Sequence, residues 1–142
     1  MQSQYVYTII IQGYMAKTQF KIEYDMQGVP VTLLWQYIFM PHGLEQWFAD
    51  EVRQDGKTFT FIWDDVPQQA ALVSVRSGVY ARFHWKDDGR ERTFFEMRIL
   101  VSELTDNKTL QITDFADSPG DVPESKDMWN QSIAALKRRL GL

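Results

Sequence analysis

Apolar and polar positions alternate with period two over most of this chain and switch to a helical period in two places. From Thr18 to Tyr24, Phe20, Ile22 and Tyr24 alternate with Gln19, Lys21 and Glu23, which predicts a half-buried strand. Gln27-Gly28 ends it. Pro30 suits a helix start, where its missing N–H costs nothing. Val31, Leu34, Trp35 and Ile38 then share one helical face. Pro41 stops that helix and opens a second, in which Leu44, Trp47 and Phe48 fall at i, i+3 and i+4.

From Glu51 the period returns to two. Asp55-Gly56 is a hairpin signal, and Lys57–Trp63 follows with Phe59, Phe61 and Trp63 on one face. Asp64 to Pro67 reads as a turn, Gln69–Arg76 as a strand and Ser77-Gly78 as a turn. In Val79–Lys86 one face carries Val79, Ala81, Phe83 and Trp85, the other Tyr80, Arg82, His84 and Lys86. Asp87-Asp88-Gly89 turns again. Arg92–Val101 places Thr93, Phe95, Met97, Ile99 and Val101 together, and Thr109–Asp117 closes the run. Turns at roughly ten-residue spacing favour consecutive antiparallel hairpins over βαβ units.

After a loop over Ser118–Glu124, a helix over Pro123–Leu140 puts Trp129, Ile133, Leu136 and Leu140 within an arc of about 60°. Lys126, Lys137 and Arg138 are assigned to its other side. Such a stripe must be buried, and the strands are the large partner available. The prediction is an α+β domain in which about six to seven antiparallel strands wrap a long C-terminal helix. Residues 15–142 form that domain. Residues 1–14 carry no charge and read as an extension, either additional to a natural start at Met15 or an edge strand at Tyr5–Ile11.

Composition narrows the function. Aromatic residues make up 14% of the chain, enough to line a core or a pocket with rings. The net charge of −4 argues against a duplex nucleic-acid binder, which usually shows a basic face. With no cysteine there is no disulfide, thiolate metal site or Cys nucleophile. No stretch is long enough to span a bilayer, and Tyr5–Ile11 lacks the basic start of a secretory signal, so the expected location is cytoplasmic.

The element order and its landmarks resemble the START-like superfamily, also called Bet v 1-like or SRPBCC. The likeness is carried by Pro30–Phe39, Pro41-His-Gly-Leu-Glu-Gln-Trp47-Phe48, Gly56-Lys-Thr-Phe59-Thr-Phe-Ile-Trp63, His84-Trp85 and Met128-Trp129…Leu136…Leu140. Leu44-Glu-Gln-Trp47-Phe48-Ala-Asp50 looks like the branch of the heat-shock-protein-ninety ATPase activator and its bacterial relatives. Relatives often carry Gly before the strand written here Ala70-Ala71-Leu-Val-Ser-Val. Thr113-Asp-Phe-Ala-Asp117 is similar to a small bacterial set from which no function carries over. The resemblance covers about residues 17–141 and implies a helix-grip fold, often with an apolar cavity between sheet and helix.

Few residues offer chemistry. The two histidines, His42 and His84, do not have metal-ligand spacing, and His84 shares the face of Arg82 and Lys86 expected to meet solvent. Asp64-Asp65 and Asp87-Asp88 sit at turns, where Asp is favoured for local reasons. Glu96 and Arg98 read as a surface pair worth little. Asp114 shares parity with Leu110 and Ile112, so it is aimed inward. There it must be hydrogen-bonded, for instance to the Ser118–Glu124 loop, or stand at a pocket mouth. No phosphate loop or catalytic triad motif is present, and neither a metal nor a cofactor is expected.

The remaining candidates are Phe59, Phe61, Trp63, Phe83, Trp85, Phe95 and Met97, facing Trp129 and Ile133. They either fill a core or line a cavity, and ring volume decides between the two. The first expectation is a binding protein for a small hydrophobic or amphipathic ligand or lipid, oriented by Asp114 or Tyr24. Its opening would lie between the Ser118–Glu124 loop and the second short helix. The resemblance implies a chaperone ATPase activator-like partner role as one alternative, and a cyclase or hydrolase as another.

Overall fold

A computed structural model describes residues 17–142; the expectations for residues 1–14 lie outside the described residues. The elements are β1 (Thr18–Asp25), α1 (Val31–Phe39), α2 (Pro41–Leu44), β2 (Glu51–Asp55), β3 (Thr58–Trp63), β4 (Val66–Arg76), β5 (Tyr80–Trp85), β6 (Phe95–Val101), β7 (Lys108–Ala116) and α3 (Val122–Leu140). The seven strands form one antiparallel sheet in the order β1-β7-β6-β5-β4-β3-β2. Only the β1–β7 neighbours are far apart in sequence, and among the described residues the outermost strands are β1 and β2. The curved sheet and the long helix are the helix-grip arrangement that the resemblance implies.

Local chemistry explains most boundaries. Asp64 and Asp65 both have positive φ, 49° and 65°, the backbone of a two-residue I′ hairpin closed by the Trp63–Val66 pair. The turn is therefore shorter than expected, and β4 begins at Val66 rather than Gln69. Pro67 is tolerated inside β4 because β5 pairs with that strand only from Ala70 onward. Val73 is the extra residue of a bulge between Leu72 and Ser74, a device that bends a sheet. β6 starts at Phe95, not Arg92. Lys86–Asp88 forms a 3-10 turn between β5 and β6.

The second short helix is one turn, Pro41–Leu44. Trp47 and Phe48 follow in a turn whose N–H groups bond back to the Leu44 carbonyl, Phe48 at 2.8 Å. Gly43 sits against α1 so closely that an added Cβ would lie 1.9 Å from the Gln36 carbonyl oxygen. Only glycine permits that approach. α3 ends at Gly141, in the left-handed region with φ 79°, after Lys137, Arg138 and Arg139 in the last turn, where cations suit the helix dipole. Its Trp129, Ile133 and Leu136 are buried against the sheet. Lys126 and Lys137 are half-buried beside the stripe, and Arg138 is the exposed one of the three.

Candidate functional site

The interior between sheet and helix is filled. Phe59, Phe61, Phe83 and Met97 have no exposed surface, and Phe95 and Ile133 have 1% each. Their rings meet at contact distance: Phe59–Phe83 at 4.9 Å, Phe83–Phe95 at 5.0 Å and Phe61–Phe83 at 5.9 Å. Edge-to-face and stacked pairs at these distances leave no space for a guest. Trp85 is half-buried and stacks on Phe95 at 4.9 Å. Seven of the ten residues expected at a ligand site thus belong to the core or its margin: Phe59, Phe61, Phe83, Trp85, Phe95, Met97 and Ile133.

The other three meet at an open cleft of about 310 Å³ on the flank of α3. Trp63, Asp114 and Trp129 line it with Phe48, Ser125, Met128 and Ser132. Strand position explains the division. Phe61 and Phe83 are covered from both sides, whereas Trp63 is the last residue of β3 and Asp114 lies near the end of β7. Side chains at strand ends reach the rim of the sheet, where α3 covers them on one side only.

Hydrogen bonds fix the walls. The Trp63 indole N–H donates to the Phe48 carbonyl at 2.8 Å. The Asp64 N–H donates to the Asp50 carboxylate at 2.8 Å, and the Val52 N–H to Glu45 Oε2 at 2.9 Å. The turn after α2 is thereby tied to the β2–β3–β4 edge. The Phe48 ring stands 5.8 Å from Trp129, 5.5 Å from Trp63 and 5.1 Å from Phe61, bridging cleft and core. Phe48, Ser125, Met128 and Ser132 are the lining residues not expected from the sequence, and Phe48 is the aromatic one. The signal was its i+4 spacing from Leu44, which marked it as one more helix-face residue.

Asp114 is the charged group of this lining. Its Oδ2 accepts the Trp129 indole N–H at 2.8 Å and its Oδ1 the Phe115 N–H at 2.7 Å. The partner is therefore a helix side chain, not the Ser118–Glu124 loop, which is closed locally by Ser118 donating to Asp121 at 2.9 Å. Burial pushes the Asp114 pKa up, and the two hydrogen bonds oppose the rise. Each oxygen has a further lone pair. The carboxylate can accept one more donor from the cleft.

Three other groups stand elsewhere. Tyr24 donates to Asn130 of α3 at 2.6 Å, fastening the helix to β1 outside the cleft lining, and burial pushes its phenol up to about 12. Glu96 is not an exposed pair partner: it is 4% exposed, on the outer face of the sheet. Arg82 reaches it at 2.9 Å and Arg98 at 3.0 Å. Those guanidiniums lie 4.0 Å over Phe94 and 4.3 Å over Tyr80, which covers the carboxylate. Parity cannot reveal such a cluster, since its members come from neighbouring strands.

His84 is half-buried on that outer face. Its two ring nitrogens lie 2.7 Å from the Thr93 carbonyl and 2.8 Å from the Gly89 carbonyl. Two carbonyl acceptors are served together only by the imidazolium, so they raise its pKa. His42 lines a separate surface groove with Leu33, Gln36, Tyr37 and Met40. Among the described residues, no three His, Asp or Glu side chains gather as metal ligands. Among them, too, no helix is long and apolar enough to cross a membrane.

Residues 14–142 match the START-like superfamily domain. The solution structure of BfR322 from Bacteroides fragilis is 38% identical over 90% of this chain and 94% of that one, with a TM-score of 0.66. DynU16, from the dynemicin biosynthetic locus, is 16% identical over 87% of this chain and 47% of its own, with a TM-score of 0.70. The Aha1 dimer from Colwellia psychrerythraea is 12% identical over 87% and 94%, with a TM-score of 0.64. The latter two likenesses are of fold alone. No curated protein matches the chain at a significant level.

Proposed function

The chain belongs to the START-like superfamily, and on that premise we propose that it binds a small hydrophobic or amphipathic molecule in the cleft of Phe48, Trp63, Asp114, Met128 and Trp129. Members of this fold family commonly bind ligands. One observation carries the reading to this place in particular. The interior is closed by ring-on-ring packing, while the cleft joins aromatic walls to a half-buried carboxylate with free acceptor capacity. Apolar walls with few polar anchors are the usual make-up of a small-molecule site. The volume sets a size limit, because about 310 Å³ is at the lower end for such sites.

The ligand is therefore small, or it is a longer molecule with one end inserted. Asp114 orients it; Tyr24 is not among the lining residues, and its hydroxyl is engaged with Asn130. The chaperone-partner and enzymatic alternatives rest on no observation of this cleft, and the likeness to Aha1 is one of fold.

The test uses the neutral apolar fluorophore N-phenyl-1-naphthylamine. Its emission should rise on binding to the unaltered protein and fail to rise with Ser132→Phe, which places a ring in the cleft. The variant's urea midpoint should stay unchanged. Equal binding by both proteins, or binding by neither, overturns the reading.

A further inference from the structure

The geometry points to a small organic cation as the ligand of this cleft: an ammonium on an apolar or aromatic arm, with its charge at Asp114 and its arm against Phe48, Trp63 and Trp129. The inference rests on the cleft being a binding site and adds the chemical class.

Charge is the first argument. The lining carries three aromatic rings, two serines, a methionine and one ionisable group, which is the Asp114 carboxylate. The cation that acts on Asp114 is Lys17, and it is engaged elsewhere. Its ammonium lies 3.1 Å from Asp88, 3.4 Å from Glu91 and 3.9 Å from Asp117. Asp88 adds further negative potential at Asp114. The two existing donors, both neutral N–H groups, leave the negative charge without an ionic counterpart among the described residues. A half-buried carboxylate of this sort gains most from a donor that carries positive charge.

The rings are the second argument. Phe48 lies 5.5 Å from Trp63 and 5.8 Å from Trp129, so the three form one continuous aromatic wall beside the carboxylate. Ring faces are negative, and indoles attract cations most strongly. An anionic ligand would meet Asp114 and the ring faces as like charge. A neutral apolar ligand would leave the carboxylate desolvated with no added partner, which costs free energy. The cation satisfies both surfaces together. Ser125 and Ser132 can accept its remaining N–H groups.

The experiment compares three probes of nearly one shape on the 15N-labelled full chain: 2-phenylethylamine, 2-phenylethanol and 3-phenylpropionate. The readout is the indole N–H signals of the five tryptophans. Trp63 and Trp129 should shift while Trp35 and Trp47 stay. The amine should bind about tenfold more tightly than the alcohol, the difference expected for a hydrogen bond to a charged partner, and the carboxylate most weakly. Asp114→Asn should abolish the amine's advantage over the alcohol.

On the unaltered chain, amine affinity should fall as pH drops through the raised Asp114 pKa, and by more than alcohol affinity does. This arm does not depend on how the variant folds. Equal affinity for amine and alcohol, or a flat amine profile, overturns the cation inference while the cleft reading stands. No shift at Trp63 or Trp129 with any probe overturns both.

Discussion

Replacing Trp129 with Phe tests whether the Asp114–Trp129 bond joins the helix to the sheet. The substitution keeps a ring over Phe48 and Phe95 but removes the indole N–H that donates to Asp114 at 2.8 Å. A hydrogen bond to a charged group contributes about 1.5–3 kcal/mol, and its loss leaves a half-buried acceptor short of one partner. The smaller ring gives up part of a side chain that is 9% exposed, about 1 kcal/mol more. The expected destabilisation is about 2.5–4 kcal/mol by urea unfolding, read as a lower midpoint at unchanged slope.

A double-mutant cycle separates the two contributions. Asp114→Ala removes the acceptor, and the coupling between it and Trp129→Phe should be about 1.5–3 kcal/mol, since ring loss cancels in the cycle. The carboxyl titration supplies an independent check. The indole bond holds the Asp114 pKa down against burial, so Trp129→Phe should move it further up. A coupling below about 0.5 kcal/mol together with an unmoved Asp114 titration would refute the reasoning.

Two more predictions follow from the same geometry. His84 has its pKa raised by the Thr93 and Gly89 carbonyls. Its stabilising contribution is therefore complete below the unfolded value near 6.5 and lost as pH rises through the higher folded value. Urea midpoints from pH 6 to 9 should fall more for the unaltered protein than for His84→Gln, and parallel profiles would contradict this. Gly43→Ala forces a methyl to within 1.9 Å of a backbone oxygen, so the unfolding midpoint should drop by an amount worth about 2 kcal/mol or more. An unchanged midpoint would mean that α1 and α2 are not held as close as described.

Strand parity made the fold legible because one face of a curved sheet is buried along its length. Phe59, Phe61, Phe83, Phe95 and Met97 alternate with polar residues for that reason, and all five point inward. The stripe of Trp129, Ile133 and Leu136 located the helix face by the same logic. Parity gives direction, however, and not free volume. It cannot separate Phe83, enclosed by rings, from Trp63, which closes its strand at the rim.

The site depends on long-range placement that periodicity does not contain. Asp114 was aimed correctly, but its partner is an indole brought over by α3. Phe48 reached the cleft through a turn that replaced the expected helix, with the Leu44 carbonyl taking several N–H groups at once. Glu96 was hidden because the arginines that bury it belong to its own strand and the next. His84 looked exposed because its acceptors lie in the loop that β5 leads into.

The most direct test of where the ligand sits is a methyl spectrum of the protein labelled with 13C-methyl methionine, recorded with and without N-phenyl-1-naphthylamine. Met128 is 64% exposed and lines the cleft, whereas Met97 and Met26 are fully buried in the packed interior. The Met128 signal should shift with probe concentration while those of Met97 and Met26 stay fixed. A shift at Met97 with Met128 unmoved would contradict the account, because it would place the ligand inside the sheet–helix core.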